Sequence, residues 1–180
     1  GRAIKQAETS LGISRSDILV GTKIWSTRES KQSLIAAAED SLNRLNVDYI
    51  DIIYPHWIKI GTDINTVMDA FLDLLDQGKV RSIGLSNPNS ADLDHAMALA
   101  LDHVSVVQAE IHPYLNQQTL VSNITQKHGL KMLGFSPFAA GAVLADPIVL
   151  SIADNYNVSS AQIVMAWALQ RNGNVPIFTA

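Results

Sequence analysis

What most constrains this chain is a rhythm of short apolar runs, each closed by a polar or aromatic side chain and separated by helix-like segments. Lys23 closes Ile18-Leu19-Val20-Gly21-Thr22, and His56 closes Tyr49-Ile50-Asp51-Ile52-Ile53-Tyr54-Pro55. Ser86-Asn87 close Ile83-Gly84-Leu85, Gln108 closes Val104-Ser105-Val106-Val107, and Phe135-Ser136 close Met132-Leu133-Gly134. The runs are rich in Val and Ile and nearly continuous in hydrophobicity, as strands buried on both faces must be. The markers are about 30 residues apart, the length of one β/α unit. The last interval, to Phe178, is longer and holds two helical segments and the loop Ala139-Ala140-Gly141. Strands that alternate with helices and carry polar groups at their ends fit a parallel β/α barrel, whose reactive groups collect at the carboxyl rim. Six strands can be counted, so periodicity alone leaves an open six-stranded sheet and an incomplete barrel both standing.

The intervening segments read as helices. Ser26-Thr27-Arg28-Glu29 has the spacing of a capping box, and Leu34, Ile35, Ala38, Leu42 and Leu45 follow as an apolar stripe. A second stripe runs through Ile64, Val67, Met68, Phe71, Leu72 and Leu75, with Gly78 as a left-handed stop. Ser90 to Leu101 is made of good helix formers, and Asn116 can cap a fourth helix ending at Gly129. Asp146-Pro147 places a cap before a proline at the first helical position, and Ser159 with Gln162 makes a further capping box.

Composition narrows the function classes. With 47% hydrophobic and 17% charged residues the chain is an ordinary globular α/β protein. A net charge of −4 favours neither nucleic acid nor an anionic membrane as partner. There are no cysteines, which removes disulfides, thiolate metal sites and thiol nucleophiles and fits a reducing cytoplasm. No apolar run approaches the ~18 residues that span a bilayer. Asp48, Asp51 and Glu110 read as isolated carboxylates, and His95, His103 and His128 have no ligand spacing, so no metal site is expected.

Five motifs in order, Thr22-Lys23-Ile24-Trp25, His56-Trp57, Gly84-Leu85-Ser86-Asn87, Gln108-Ala109-Glu110-Ile111-His112-Pro113-Tyr114 and Phe135-Ser136-Pro137, resemble the aldo-keto reductases. The connecting stretches Leu42 to Asp51 and Gly78 to Gly84 resemble them too, so the likeness covers essentially the whole chain. It implies a (β/α)8 TIM barrel, present here as a partial barrel of about six β/α units, with residues 1–180 forming one domain. By the same alignment the first two strands and the last helix of the family lie outside the chain. The implied reaction is reversible hydride transfer between NADPH and an aldehyde or ketone, with a small carbonyl compound as the partner.

The resemblance assigns roles residue by residue. Lys23 matches the lysine that favours a phenolate on the family's tyrosine acid, and His56 matches the histidine that orients the carbonyl oxygen. Ser86, Asn87 and Gln108 match contacts to the nicotinamide carboxamide, a group that both donates and accepts hydrogen bonds. Phe135 stands where a tyrosine usually stacks on nicotinamide, and Trp25 and Trp57 match walls of the substrate pocket. The tyrosine and aspartate that complete the tetrad are expected upstream, so the chain by itself is expected to lack them and to be inactive. Tyr54 shares the side-chain parity of His56 and is expected to pack rather than to replace the acid. Pro55 removes a backbone donor near a strand end, which is unusual inside a closed ladder. Ile177-Phe178-Thr179-Ala180 replaces the family's Ile-Pro-Lys-Ser, whose lysine meets the 2′-phosphate, so NADH is possible as well. The alternative is a relative that binds the nucleotide without catalysis, as a sensor or interaction module.

Overall fold

A computed structural model describes residues 1–25, 30–58, 63–100, 102–115, 117–170 and 174–177. These form two compact units, one of residues 1–86 and 91–105, the other of residues 87–90 and 106–180. In the first unit, helix α1 (Arg2–Leu11) and a 3₁₀ turn (Arg15–Asp17) precede strand β1 (Gly21–Ile24). Helix α2 (Lys31–Leu45), β2 (Ile50–Pro55), α3 (Ile64–Asp76), β3 (Val80–Ser86) and α4 (Ser90–Ala100) follow.

Strands β1, β2 and β3 are neighbours in that order and run parallel. The pairs Gly21–Ile52 and Lys23–Tyr54 fix the register of β1 on β2, and Ile52–Ser82 and Ile53–Ile83 fix that of β2 on β3. Because side chains alternate along a strand, these pairs share a face layer by layer. Ile50, Ile53, Ile83 and Leu85 are completely buried, and so are Phe71 and Leu74 of α3. The α2 stripe buries Leu34, Ala38 and Leu42 as its period requires.

The expected capping box at Ser26 to Glu29 lies outside the described residues. The cap of α2 is Ser30, whose hydroxyl accepts from Ser33 N–H while the Ser33 side chain returns to the Ser30 backbone. Gly78 takes the expected left-handed conformation, at φ 69°.

In the second unit the rest of β4 (Val104–Glu110) pairs with β5 (Lys131–Phe135), and β5 with β6 (Asn174–Pro176), all parallel. The expected single helix up to Gly129 is instead a short helix, α5 (Gln118–Ser122), followed by a π-helical turn over Asn123–Lys127. Its expected cap, Asn116, lies outside the described residues. Helix α6 (Pro147–Tyr156) opens on Asp146, whose carboxylate accepts from Ile148 and Val149 N–H, with proline at the first turn. Helix α7 (Ser160–Leu169) opens on the Ser159–Gln162 box. Val143, Val149 and Val164 form the cluster beneath these helices. No helix among the described residues is long and apolar enough to cross a membrane.

Candidate active site

In the first unit the strand register sorts the predicted residues into layers. Lys23 of β1 lies beside Tyr54 of β2, and continuing the β2–β3 register brings Tyr54 beside Gly84. The next layer toward the carboxyl ends holds Trp25, His56 and Ser86. There the Trp25 and His56 rings stack at 4.2 Å between centroids with 28° between planes. Ile52 N–H donates to Val20 O at 3.2 Å and His56 N–H to Ile24 O at 2.7 Å, so from Ile52 onward the donors toward β1 are the even-numbered residues and Pro55 takes no hydrogen bond from that ladder. That is how a proline is tolerated at this strand end.

The electrostatics join the two layers. Partial burial pushes the Lys23 ammonium down from its ordinary range. His56 is also pushed down, first by burial and then by the Lys23 charge. A neutral imidazole beside a cation can donate an N–H to an oxygen on which negative charge develops. Ser86 is completely buried, whereas Trp25 and Trp57 are 50% and 38% exposed, which leaves broad aromatic faces accessible beside His56.

The second unit holds the remaining predicted residues. Asn87 adopts a left-handed conformation at φ 52°, donates its N–H to Gln108 O at 2.8 Å, and accepts Glu110 N–H on Oδ1. Gln108 is 6% exposed, and its Oε1 is buried with no hydrogen-bond partner. Gln108 pairs with Leu133, and Glu110 with Phe135, so Phe135 points to the same face as Gln108 at the end of β5. Within His112-Pro113-Tyr114, Tyr114 Oη donates to Asp146 at 2.7 Å and so braces the α6 cap. Phe178 to Ala180 lie outside the described residues.

The expectation that this chain has no tyrosine and aspartate to offer is corrected. Tyr49 and Asp51 are present and firmly engaged. Asp51 is buried and accepts from Arg15 Nη2 at 2.8 Å and from Val20 N–H at 2.9 Å, with Arg81 Nη1 at 3.5 Å. Both guanidinium groups lie over the Tyr49 ring, at 4.2 and 3.6 Å from its centroid. Asp51 is therefore no isolated carboxylate. Its partners come from other elements, and residue types alone gave no sign of them. Asp51 sits at the entry end of β2, roughly 16 Å along the strand from His56 at ~3.3 Å per residue, and Tyr49 just precedes the strand.

Sequence reasoning also missed the closeness of Tyr54 to Lys23. The signal was there in Gly21 and Gly84, since an isolated glycine inside a strand marks a close approach.

The family model of the aldo/keto reductases matches residues 1–180. The chain belongs to the aldo/keto reductase family. Methylglyoxal reductase DkgB of Salmonella typhi is 32% identical over 170 residues, covering 93% of this chain and 63% of that protein. An aldo-keto reductase of Mycolicibacterium smegmatis is 35% identical over 178 residues, covering 98% and 62%. Among solved structures, an aldo/keto reductase from Brucella melitensis superposes with a TM-score of 0.82 at 32% identity, covering 99% of this chain and 66% of that one. The aldose reductase of Schistosoma japonicum gives 0.80 at 29%, covering 97% and 64%. The chain thus spans less than two thirds of the length of these relatives. The α/β fold of this family member is a partial (β/α)8 barrel.

Proposed function

We propose that residues 1–180 form one partial barrel domain of an NAD(P)H-dependent reductase acting on small aldehydes or ketones. The observation that carries this reading is the placement of Lys23 and His56 in successive layers near the carboxyl ends of adjacent strands, where burial first and the lysine charge second favour the neutral imidazole. His56 would hydrogen-bond the substrate oxygen, and Lys23 would stabilise negative charge on a neighbouring proton donor. Trp25 and Trp57 would wall the substrate, as their exposed faces allow.

The residues of the second unit suit a nicotinamide carboxamide. The orphaned Gln108 Oε1 needs a donor, which an amide NH₂ would provide. Phe135 offers an aromatic face for stacking. When bound, the dinucleotide supplies the hydride. Family membership supports a nicotinamide cofactor, with NADPH the first candidate and NADH the second. Relatives named for methylglyoxal and aldose reduction suggest 2-oxoaldehydes and aldoses as the first substrates to try.

The test is NADPH and NADH binding by titration calorimetry, together with methylglyoxal-dependent NADPH oxidation. Gln108→Leu should weaken binding about tenfold, as expected for one lost hydrogen bond of ~1.4 kcal/mol, without lowering stability. Lys23→Met and His56→Ala should each slow turnover by about 10²–10³-fold. Unchanged binding in Gln108→Leu, or unchanged turnover in both other variants, would sink the proposal.

A further inference from the structure

Tyr54 is a large aromatic residue in the middle of the reactive layer, and the proposed chemistry assigns it nothing. Its ring spreads across three strands. On one side Cε2 would lie 3.4 Å from a β-carbon placed on Gly21 of β1. On the other, a β-carbon on Gly84 of β3 would overlap Cε1, Cδ1 and Cζ of the ring. The ring lies in the slot between the two glycines: at Gly84 only a residue without a β-carbon leaves it room, while at Gly21 a β-carbon would meet it in ordinary van der Waals contact. Tyr54 is 5% exposed, so the slot is filled.

The face of that ring carries the Lys23 ammonium, whose Nζ is 5.8 Å from the centroid, within the ~6 Å over which an aromatic face attracts a cation. Lys23 and Tyr54 are also register partners, so the backbone holds the pair together. Burial pushes the phenol up to about 12, which keeps the ring neutral over the whole working pH range and unsuited to be the acid. A lysine is a flexible point charge on a four-carbon stem and needs a surface to fix where its charge sits.

We propose that Tyr54, seated in the Gly21–Gly84 slot, is a positioning residue that holds the Lys23 ammonium in place and through it sets the charge felt by His56. This rests on the reading of Lys23 and His56 as the reactive pair. The contact that matters is the ring face; the hydroxyl is dispensable. The proposal assigns Tyr54 no proton transfer and no contact with substrate.

The test reads His56 by its imidazole proton resonances as a function of pH, in the full chain without cofactor. Lys23→Met should move the His56 titration to higher pH, because a repelling cation is removed. Tyr54→Leu should move it in the same direction, and Tyr54→Phe should leave it where it was. In the Lys23→Met background, Tyr54→Leu should add no further shift, since its effect passes through the lysine. Tyr54→Met serves in the same role if the leucine variant does not fold. A Tyr54→Leu titration that matches the parent, while Lys23→Met shifts it, overturns the positioning role and leaves the reactive pair intact. So does a Tyr54→Leu shift of the same size with and without Lys23. A Lys23→Met titration that does not move overturns the pair and the positioning role together.

Discussion

Replacing Asp51 by alanine should be among the most damaging single changes in the first unit. The Asp51 side chain is 7% exposed and its partner Arg15 is 15% exposed, so the ion pair is effectively buried. Removing the carboxylate leaves the guanidinium without a counter-charge, held only by the Ile18 and Tyr49 carbonyls, and strips the buried Val20 N–H of its acceptor. Breaking a buried pair from one side costs about 3–5 kcal/mol, because the remaining charge stays desolvated without compensation. Arg81 contributes little to this sum. It is 54% exposed at 3.5 Å, and exposed pairs are worth ~0–1 kcal/mol.

With a urea slope near 2 kcal/mol per molar, Asp51→Ala should lower the unfolding midpoint by about 1.5–2.5 M. Asp51→Asn keeps an oxygen for Val20 and should fall between the parent and the alanine variant. Arg81→Gln should shift the midpoint by less than about 0.5 M at the same slope. Circular dichroism and tryptophan fluorescence, followed together, would show whether both report one transition. A cost below about 1 kcal/mol for Asp51→Ala would refute the reasoning, since that is the value of a solvated pair. An Arg81→Gln loss equal to that of Asp51→Ala would refute it too, by showing that the exposed partner carries the interaction.

Gly84→Ala should destabilise by about 1–3 kcal/mol, because its methyl must displace the Tyr54 ring from a filled slot. Adding Tyr54→Leu should recover part of that loss, and a Gly84→Ala variant with the parental urea midpoint would show that the slot is not tight. At Asp146, the Tyr114 hydroxyl first, then the Ile148 N–H, hold the carboxyl below its ordinary 3.8. A folded-state value below the unfolded one gives stability that is complete above the unfolded value and lost as pH falls through the folded one. Protection of the Leu150 amide, which bonds to Asp146 O, measured relative to its intrinsic exchange rate at each pH, should therefore fall below about pH 4. Tyr114→Phe should flatten that dependence; an acid response identical to the parent's would rule out the brace.

Much of the architecture was written locally. The later strand runs, the Gly78 stop, the Asp146-Pro147 start and the Ser159–Gln162 box depend on side chains within a few residues of one another and appear where local chemistry demands. The first run fails in part: β1 starts at Gly21, and Leu19 ahead of it is 79% exposed. Ser86 ends β3 and His56 follows β2 because a polar group closing a buried strand breaks the apolar pattern, whereas β1 continues past Lys23 to Ile24 and β4 past Gln108 to Glu110. Where local signals were ambiguous, the competition went another way. Asn123 to Lys127 winds as a π-helical turn where a continuous α-helix was expected, and α2 takes its cap from Ser30.

Contacts between distant positions had no such signature. Asp51 looks isolated in the chain, yet its partners are Arg15, Val20 and Arg81, brought together only when β1, β2 and β3 pair. Tyr54 has the parity of His56, but it lies in the layer of Lys23, and only the strand register could decide that. The orphaned oxygen of Gln108 is likewise a fact of burial rather than of residue type. The sequence by itself determined which elements form and which polar groups end them, since propensity, capping and periodicity act over a turn or a strand. The tertiary structure decided which charges meet, which rings carry them and which polar atoms go unpaired, because those are set by register and burial among residues tens of positions apart.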